Sequence, residues 1–415
     1  MWGFITVLVD SLIPRLKEVF ELTYFQAGLV QFAFFMAYGI LSIPSGFILS
    51  KIGYKKGILL GLTVMGIGCL LFYPAASFRI FELFMLGYFV LAGGMTILQV
   101  AANPYVAVLG PEKTASSRLN LSQAFNSLGT AIAPAIGAMF ILSDTIKNSV
   151  EISALTPSEK EWYLTNEASS VQNPFLILSI ALLSLAFIVS FIKLPNILKK
   201  EAGFGYKNAL KHKILKLGAV GIFLYVGAEV AIGSYLVNYF LDMNIPELIK
   251  NNNFMSTISE FILGKSIQNI DNKAIVGAFV VFYWSGAMVG RFIGAYLTRI
   301  ISPTKVLAIF AVSAITLIGI SMNTNGFTAM WSILLVGLFN SVMFPTIFTI
   351  SLTGLGAYKP QASGILCTAI AGGAIIPPLY GFFTDIFQFK PAMLLLILCY
   401  FYIFYFARKS IQLIN

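Results

Sequence analysis

Apolar residues in this chain come in long blocks, with the polar residues gathered in the gaps between them. About 20 consecutive apolar residues is the length an α-helix needs to cross the hydrocarbon layer of a bilayer. Twelve runs approach or exceed it: 1–16, 24–50, 57–77, 82–108, 118–142 and 173–193, then 215–240, 273–297, 304–322, 328–353, 361–384 and 391–408. The pattern predicts an all-α membrane protein of about twelve transmembrane helices. The first run is short, because sixteen helical residues rise only about 24 Å against roughly 30 Å of hydrocarbon. Arg15, Lys17, Glu18 and Glu21 then close it. The expectation is that the first helix begins about ten to fifteen residues upstream of Met1.

Composition agrees with that pattern. Of the 415 residues 58% are hydrophobic and 11% charged, with a mean hydropathy of +0.85, whereas a soluble domain is nearer one-quarter charged. The net charge of +10 would suggest nucleic acid, but its placement does not. Seven lysines lie in "KLPNILKKEAGFGYKNALKHKILK", residues 193–216, between the sixth and seventh runs. With that linker on the cytoplasmic side and the helices alternating, seventeen Lys and Arg are cytoplasmic and nine external. Arg291 falls within the eighth run, and thirteen of the 17 acids are external. This is the positive-inside bias, so the basic charge belongs to one membrane face and no nucleic-acid partner is expected.

A weak internal repeat divides the chain into two six-helix halves, 1–193 and 215–415, joined by the basic linker 194–214. "GTAIAP" at 129–134 parallels "GGAIIP" at 372–377, and Gln99 precedes Pro104 by the five residues that separate Asn340 from Pro345. "GFILSK" at 46–51 also resembles "GAYLTR" at 294–299. Parallel halves of this kind characterise transporters of the major facilitator type, whose substrate lies near mid-membrane.

Polar side chains inside the runs are the candidates for chemistry. Asp10 and Glu229 are the carboxylates within them. A buried carboxylate is costly unless protonated or paired, so each is a candidate for coupling solute movement to a cation. The alternative is a structural hydrogen bond to a neighbouring helix, and "YVGAEVAIGSY" around Glu229 also supplies small residues for tight packing. Gln99 and Asn103 are four apart and share a helix face; Gln123 and Asn126 are three apart and share another. An amide both donates and accepts, which suits the vicinal hydroxyls of a sugar. Trp284, Tyr38 and Phe34 are candidate platforms for its C–H face. Alternatively the amides pin helices together, and Asn103 serves the kink at Pro104, where a carbonyl is freed.

No enzyme constellation is present. The one histidine, His212, lies in the lysine-rich linker, and Cys69, Cys367 and Cys399 fall in apolar runs without metal-ligand spacing. There is no Walker loop, no HExxH and no CxxC. No cofactor or metal is expected, and by the same reading ATP is not expected to be the energy source.

Longer stretches carry a family likeness. "VLVDSLIPRLKEVFELTYFQAGLVQ", "LQVAANPYVAVLGPE", "RLNLSQAFNSLG" and "FPTIFTISLTGLG" resemble the fucose–galactose–glucose:proton symporter family over nearly the whole chain. The resemblance implies a twelve-helix carrier of the bacterial inner membrane, acting as a monomer and coupling a hexose to H+ by alternating access. Na+ remains an alternative ion, and L-fucose or another monosaccharide an alternative substrate. An uncoupled facilitator or exporter on the same scaffold, and a membrane sensor, are the rivals of other classes. In the L-fucose branch an Asp of helix 1 and a Glu of helix 4 are the key acids. Asp10 matches the first, but Gln99 stands at the second and cannot release a proton. "LQVAANPY" with "YVGAEV" is closer to the glucose/galactose branch, and Gln123 and Asn126 match family sugar-site amides. "GFILSKIGYKK" is similar to the superfamily's loop between helices 2 and 3, with Ser50 at its usual acidic position. Gly46, Lys51, Gly53 and Lys55 are therefore expected at a gating contact, Gly46 through close packing.

Overall fold

A computed structural model describes residues 2–10, 24–140, 155–195 and 205–414, and among these there is no strand. Twelve helices carry the fold. They are α1 (Trp2–Asp10), α2 (Tyr24–Ile52), α3 (Tyr54–Phe78), α4 (Phe81–Val108), α5 (Ala115–Phe140) and α6 (Pro157–Phe191). After the linker follow α7 (Lys213–Asp242), α8 (Asn272–Ile300), α9 (Pro303–Asn323), α10 and α11 in two pieces each, and α12 (Phe389–Ile414). α10 consists of Gly326–Asn340 and Met343–Leu352; α11 consists of Lys359–Thr368 and Gly372–Phe387 with a 3-10 turn between. Counting each two-piece helix once, ten of these are long and apolar enough to cross a membrane. The other two are α1, with nine described residues, and α5, whose sequence carries Arg118, Asn120, Gln123 and Asn126. The charged residues 15–21 that close the first run lie outside the described residues.

Helices are the answer to hydrocarbon because each satisfies its own backbone. Proline breaks that rule locally by removing a donor and orphaning the carbonyl four residues earlier. Pro104 of α4 and Pro345 of α10, related by the repeat, orphan the carbonyls of Val100 and Ser341. Both find side-chain donors. Ser363 Oγ donates to the Val100 carbonyl at 2.8 Å, and Arg291 Nε donates to the Ser341 carbonyl at 3.4 Å. α10 breaks at Ser341, where its own ladder is interrupted.

Contacts divide the chain into two compact units. The first holds Met1–Leu109, Phe125–Lys211 and Leu355–Thr368. In it α3 and α4 pack so closely that a methyl at Gly68 would lie 2.5 Å from the Leu91 nitrogen. Phe72 of α3 stacks on Phe175 of α6 with ring centres 4.0 Å apart. The second unit holds Gly110–Ala124, His212–Gly354 and Ala369–Asn415, where α8, α9, α10 and α12 pack together and α7 lies on the second piece of α11.

Each unit thus contains one segment from the other side of the linker, and the two segments match under the repeat. Residues 355–368 correspond to 112–125 at the 243-residue offset between "GTAIAP" and "GGAIIP". The third sequence match marks where they dock. In the first unit Gly46 of α2 meets the first piece of α11; a methyl there would lie 2.9 Å from the Pro360 carbonyl oxygen. In the second unit Gly294 of α8 faces Asn120 of α5, and Ser117 Oγ donates to the Ala295 carbonyl at 2.6 Å.

A close helix approach in the second unit gives a test of this packing. A methyl at Gly337 would sit 2.1 Å from the Tyr283 carbonyl oxygen, whereas one at Gly277 would meet nothing within 4 Å. Gly337→Ala is expected to cost about 1–3 kcal/mol by overpacking and to lower the melting temperature in detergent. Gly277→Ala should leave it within a degree or two. Equal melting temperatures would remove the assigned α8–α10 contact.

Candidate functional site

The first unit holds an amide–phenol pair. Gln99, on α4, is aimed at α2, where its Nε2 donates to Tyr38 Oη at 2.6 Å. Tyr38 is 1% exposed and packed against Phe34, with ring centres 5.3 Å apart. Gln99 is partly exposed, and its Oε1 has no partner among the described residues. One turn on, Asn103 is 1% exposed. The carbonyl that Pro104 frees is taken from another helix by Ser363, so the kink is served without Asn103. Asn126, on α5, accepts from the Gly3 backbone N–H through Oδ1 at 2.7 Å. One end of this amide therefore ties down the start of α1, and its Nδ2 has no partner among the described residues. Asp10 closes α1; its side chain lies outside the described residues.

The second unit contains the repeat counterpart of that pair, which sequence reading missed. Asn340, at the break of α10, donates through Nδ2 to Tyr283 Oη of α8 at 2.7 Å. Tyr38 on α2 and Tyr283 on α8, like Gln99 on α4 and Asn340 on α10, stand six helices apart. Here the amide is closed at both ends, because Tyr400 Oη of α12 donates to Asn340 Oδ1 at 2.7 Å. Tyr283 Oη in turn donates to the Glu229 carbonyl at 3.2 Å. Asn340 and Tyr400 are fully buried. The signal was present in the sequence, in the matched spacing to Pro104 and Pro345, but nothing there named the phenols.

Glu229 of α7 is partly buried, beside the Tyr225 phenol and in the field of the Arg291 guanidinium. Arg291 is the cation that the sequence places inside a helix, and it also points at Gln123, donating to its backbone carbonyl at 3.4 Å. Gln123 is 5% exposed. Trp284 is 47% exposed, its ring edge-on to Tyr283 with centres 5.1 Å apart. An open cavity of about 480 Å³ in the same unit is lined by Tyr235, Asn238, Asp242, Thr384, Asp385 and Gln388 among others. Both of its carboxylates are exposed, and none of the residues singled out from the sequence lines it.

Around the loop after α2, Gly46 is buried and Gly53 opens α3 with φ of +81°, a conformation that glycine tolerates at no cost. Lys51 Nζ lies 4.2 Å from the centre of the Phe47 ring. Lys55 Nζ donates to the Ser190 carbonyl at 2.7 Å, tying α3 to the end of α6. No group of three or more metal-ligating side chains occurs among the described residues.

Comparison with known proteins adds to this geometry. The family model described as Major Facilitator Superfamily matches residues 2–378. A glucose/galactose transporter of Brucella abortus is 46% identical over 410 residues, covering 98% of this chain and 90% of its own. The L-fucose-proton symporter of Escherichia coli is 33% identical over 426 residues, covering 99% and 91%. Among solved structures, the transporter FucP in the outward conformation superposes with a TM-score of 0.86 at 32% identity, over 99% of this chain and 95% of that one. Twelve helices, an internal repeat that reappears as matched contacts, and this likeness over nearly full length agree: the chain belongs to the major facilitator superfamily.

Proposed function

We propose that this protein is a secondary active transporter that imports a hexose of the glucose/galactose type together with a proton. The observation that carries the reading is the contrast between the two amide–phenol pairs. In the second unit both ends of the Asn340 amide are bonded within the protein, which is what a structural amide in hydrocarbon requires. In the first unit Gln99 has the same geometry toward Tyr38 but keeps an acceptor for something that is not protein. A sugar hydroxyl supplies that donor, and Asn126 Nδ2 offers a second contact of the complementary kind. The relatives' names, a glucose/galactose transporter and an L-fucose-proton symporter, are both names of sugar carriers.

Coupling needs a charge whose state changes the balance between two conformations. Gln99 cannot ionise, and Glu229 already has Arg291 as a countercharge. That leaves Asp10 on α1 as the group that takes up the proton, with Glu229 assisting. The two six-helix halves, 1–193 and 215–415, are the parts that move, with the linker 194–214 cytoplasmic. The protein acts as a monomer in the bacterial inner membrane, and Gly46, Lys51, Gly53 and Lys55 form a gating contact. Gln123, Asn103, Tyr38 and Trp284 complete the substrate surface in this reading.

Uptake of radiolabelled glucose, galactose and L-fucose into proteoliposomes tests the proposal. A pH jump should drive uphill accumulation and a sodium jump should not; the reverse result assigns the coupling to Na+. Asp10→Asn should lose uphill accumulation yet keep sugar counterflow, and full accumulation in that variant would refute its role. Gln99→Ala should raise KM about five- to tenfold, the size of one lost hydrogen bond to a ligand. Asn340→Ala strands the buried Tyr400 hydroxyl and takes a donor from Tyr283, so the expected loss is in melting temperature, with KM changed less than about twofold.

A further inference from the structure

The docking of α11 in the first unit has a component without a counterpart in the repeat. It comes from the linker. Residues Tyr206–Ala209 form a single helical turn that packs on the first piece of α11 and on the 3-10 turn Gly356–Tyr358 before it. Tyr206 and Ala209, three apart, share its inner face, while Lys207, Leu210 and Lys211 are exposed. Tyr206 Oη donates to the Ile43 carbonyl of α2 and also contacts the Phe47 backbone. It thus sits on one rung of the α2 ladder, next to Pro44. The same oxygen would be 2.8 Å from a methyl at Gly46 and 3.3 Å from one at Gly364. One hydroxyl therefore fills the notch where two glycines let α2 and α11 approach.

We propose that Tyr206 is a latch: its hydroxyl bolts the first piece of α11 to α2, and must withdraw before that piece can leave. The proposal extends the transport reading, since only a carrier whose halves move needs the dock to be reversible. Without Tyr206 the segment keeps its packing on α2 and α4, the Ser363 bond to Val100 and the glycine contact. The second unit's equivalent dock depends instead on Ser117 and Asn120 of the docked segment itself. The linker thus acts on one of two matched docks, and the two need not open with equal ease. The latch is insensitive to physiological pH, because burial pushes the Tyr206 phenol up to about 12 and keeps it a donor.

Cys367 is a built-in reporter. It lies on the docked piece and is fully buried. In a Cys69→Ala, Cys399→Ala background, the rate of maleimide labelling at Cys367 measures how often that piece leaves its seat. Tyr206→Phe keeps the ring and removes the bolt, so labelling should rise about fivefold, the equivalent of one net hydrogen bond. The rise should be the same relative to the parent at pH 6 and pH 8, and Lys207→Ala should not produce it. Unchanged labelling in Tyr206→Phe would overturn the latch, and so would an effect seen in Tyr206→Ala but not in Tyr206→Phe, which would credit the ring alone. The assay needs no transported solute. If no hexose is carried, the proposed function fails while the labelling still decides the latch.

Discussion

A polar group in hydrocarbon has no water to fall back on, and that constraint decides where function can reside in this chain. Two prolines at repeat-related positions each orphan a carbonyl, and in both cases another helix supplies a donor, Ser363 for Val100 and Arg291 for Ser341. Asn340 is satisfied at both ends by Tyr283 and Tyr400. Set beside Asn340, its repeat counterpart, the half-bonded amide of Gln99 is informative. Gln99 donates to Tyr38, and among the described residues nothing donates to its Oε1. The chain has in Asn340 its own example of what the same arrangement looks like when it serves only packing.

The repeat also explains why the compact units do not coincide with the order of the sequence. Residues 355–368 join the first unit and 110–124 the second, and the two segments are equivalent under the same offset. At the first dock Gly46 permits the approach; at the second, Gly294 also faces the docked segment, though its tightest neighbour is Val342 of α10. The two docks differ where Tyr206 reaches from the linker onto α2. A carrier built on two matched docks gains control over one of them through a side chain that belongs to neither half.

Much of the fold was legible in the sequence. Hydrophobic run length anticipated about twelve helices, ten of which are long and apolar enough to span, since burial in lipid imposes a minimum length on each. The three repeat matches were each too short to stand alone, yet all mark contacts: Gly129 lies against Phe4, Gly372 against Phe223, and Gly46 and Gly294 mark the docks. Partnership was not legible. Gln99, Asn103, Gln123 and Asn126 look alike in the sequence, and helical spacing places them on faces without saying what those faces meet. Their differences came from Tyr38, Arg291, Gly3 and Ser363, residues distant in sequence from the amides they distinguish. Tyr206 was hidden for the same reason, as one aromatic residue in a segment whose composition spoke only of charge.

The central claim is that the open end of Gln99 reads one sugar hydroxyl, and the most direct measurement is a cycle between protein and ligand. Binding of the transported hexose is compared with that of each of its single-deoxy derivatives, in the wild type and in Gln99→Ala. One deoxy position should weaken binding about five- to tenfold in the wild type and have almost no further effect in the variant, because the partner is already gone. If every deoxy derivative loses as much in Gln99→Ala as in the wild type, Gln99 touches no hydroxyl and the account is wrong.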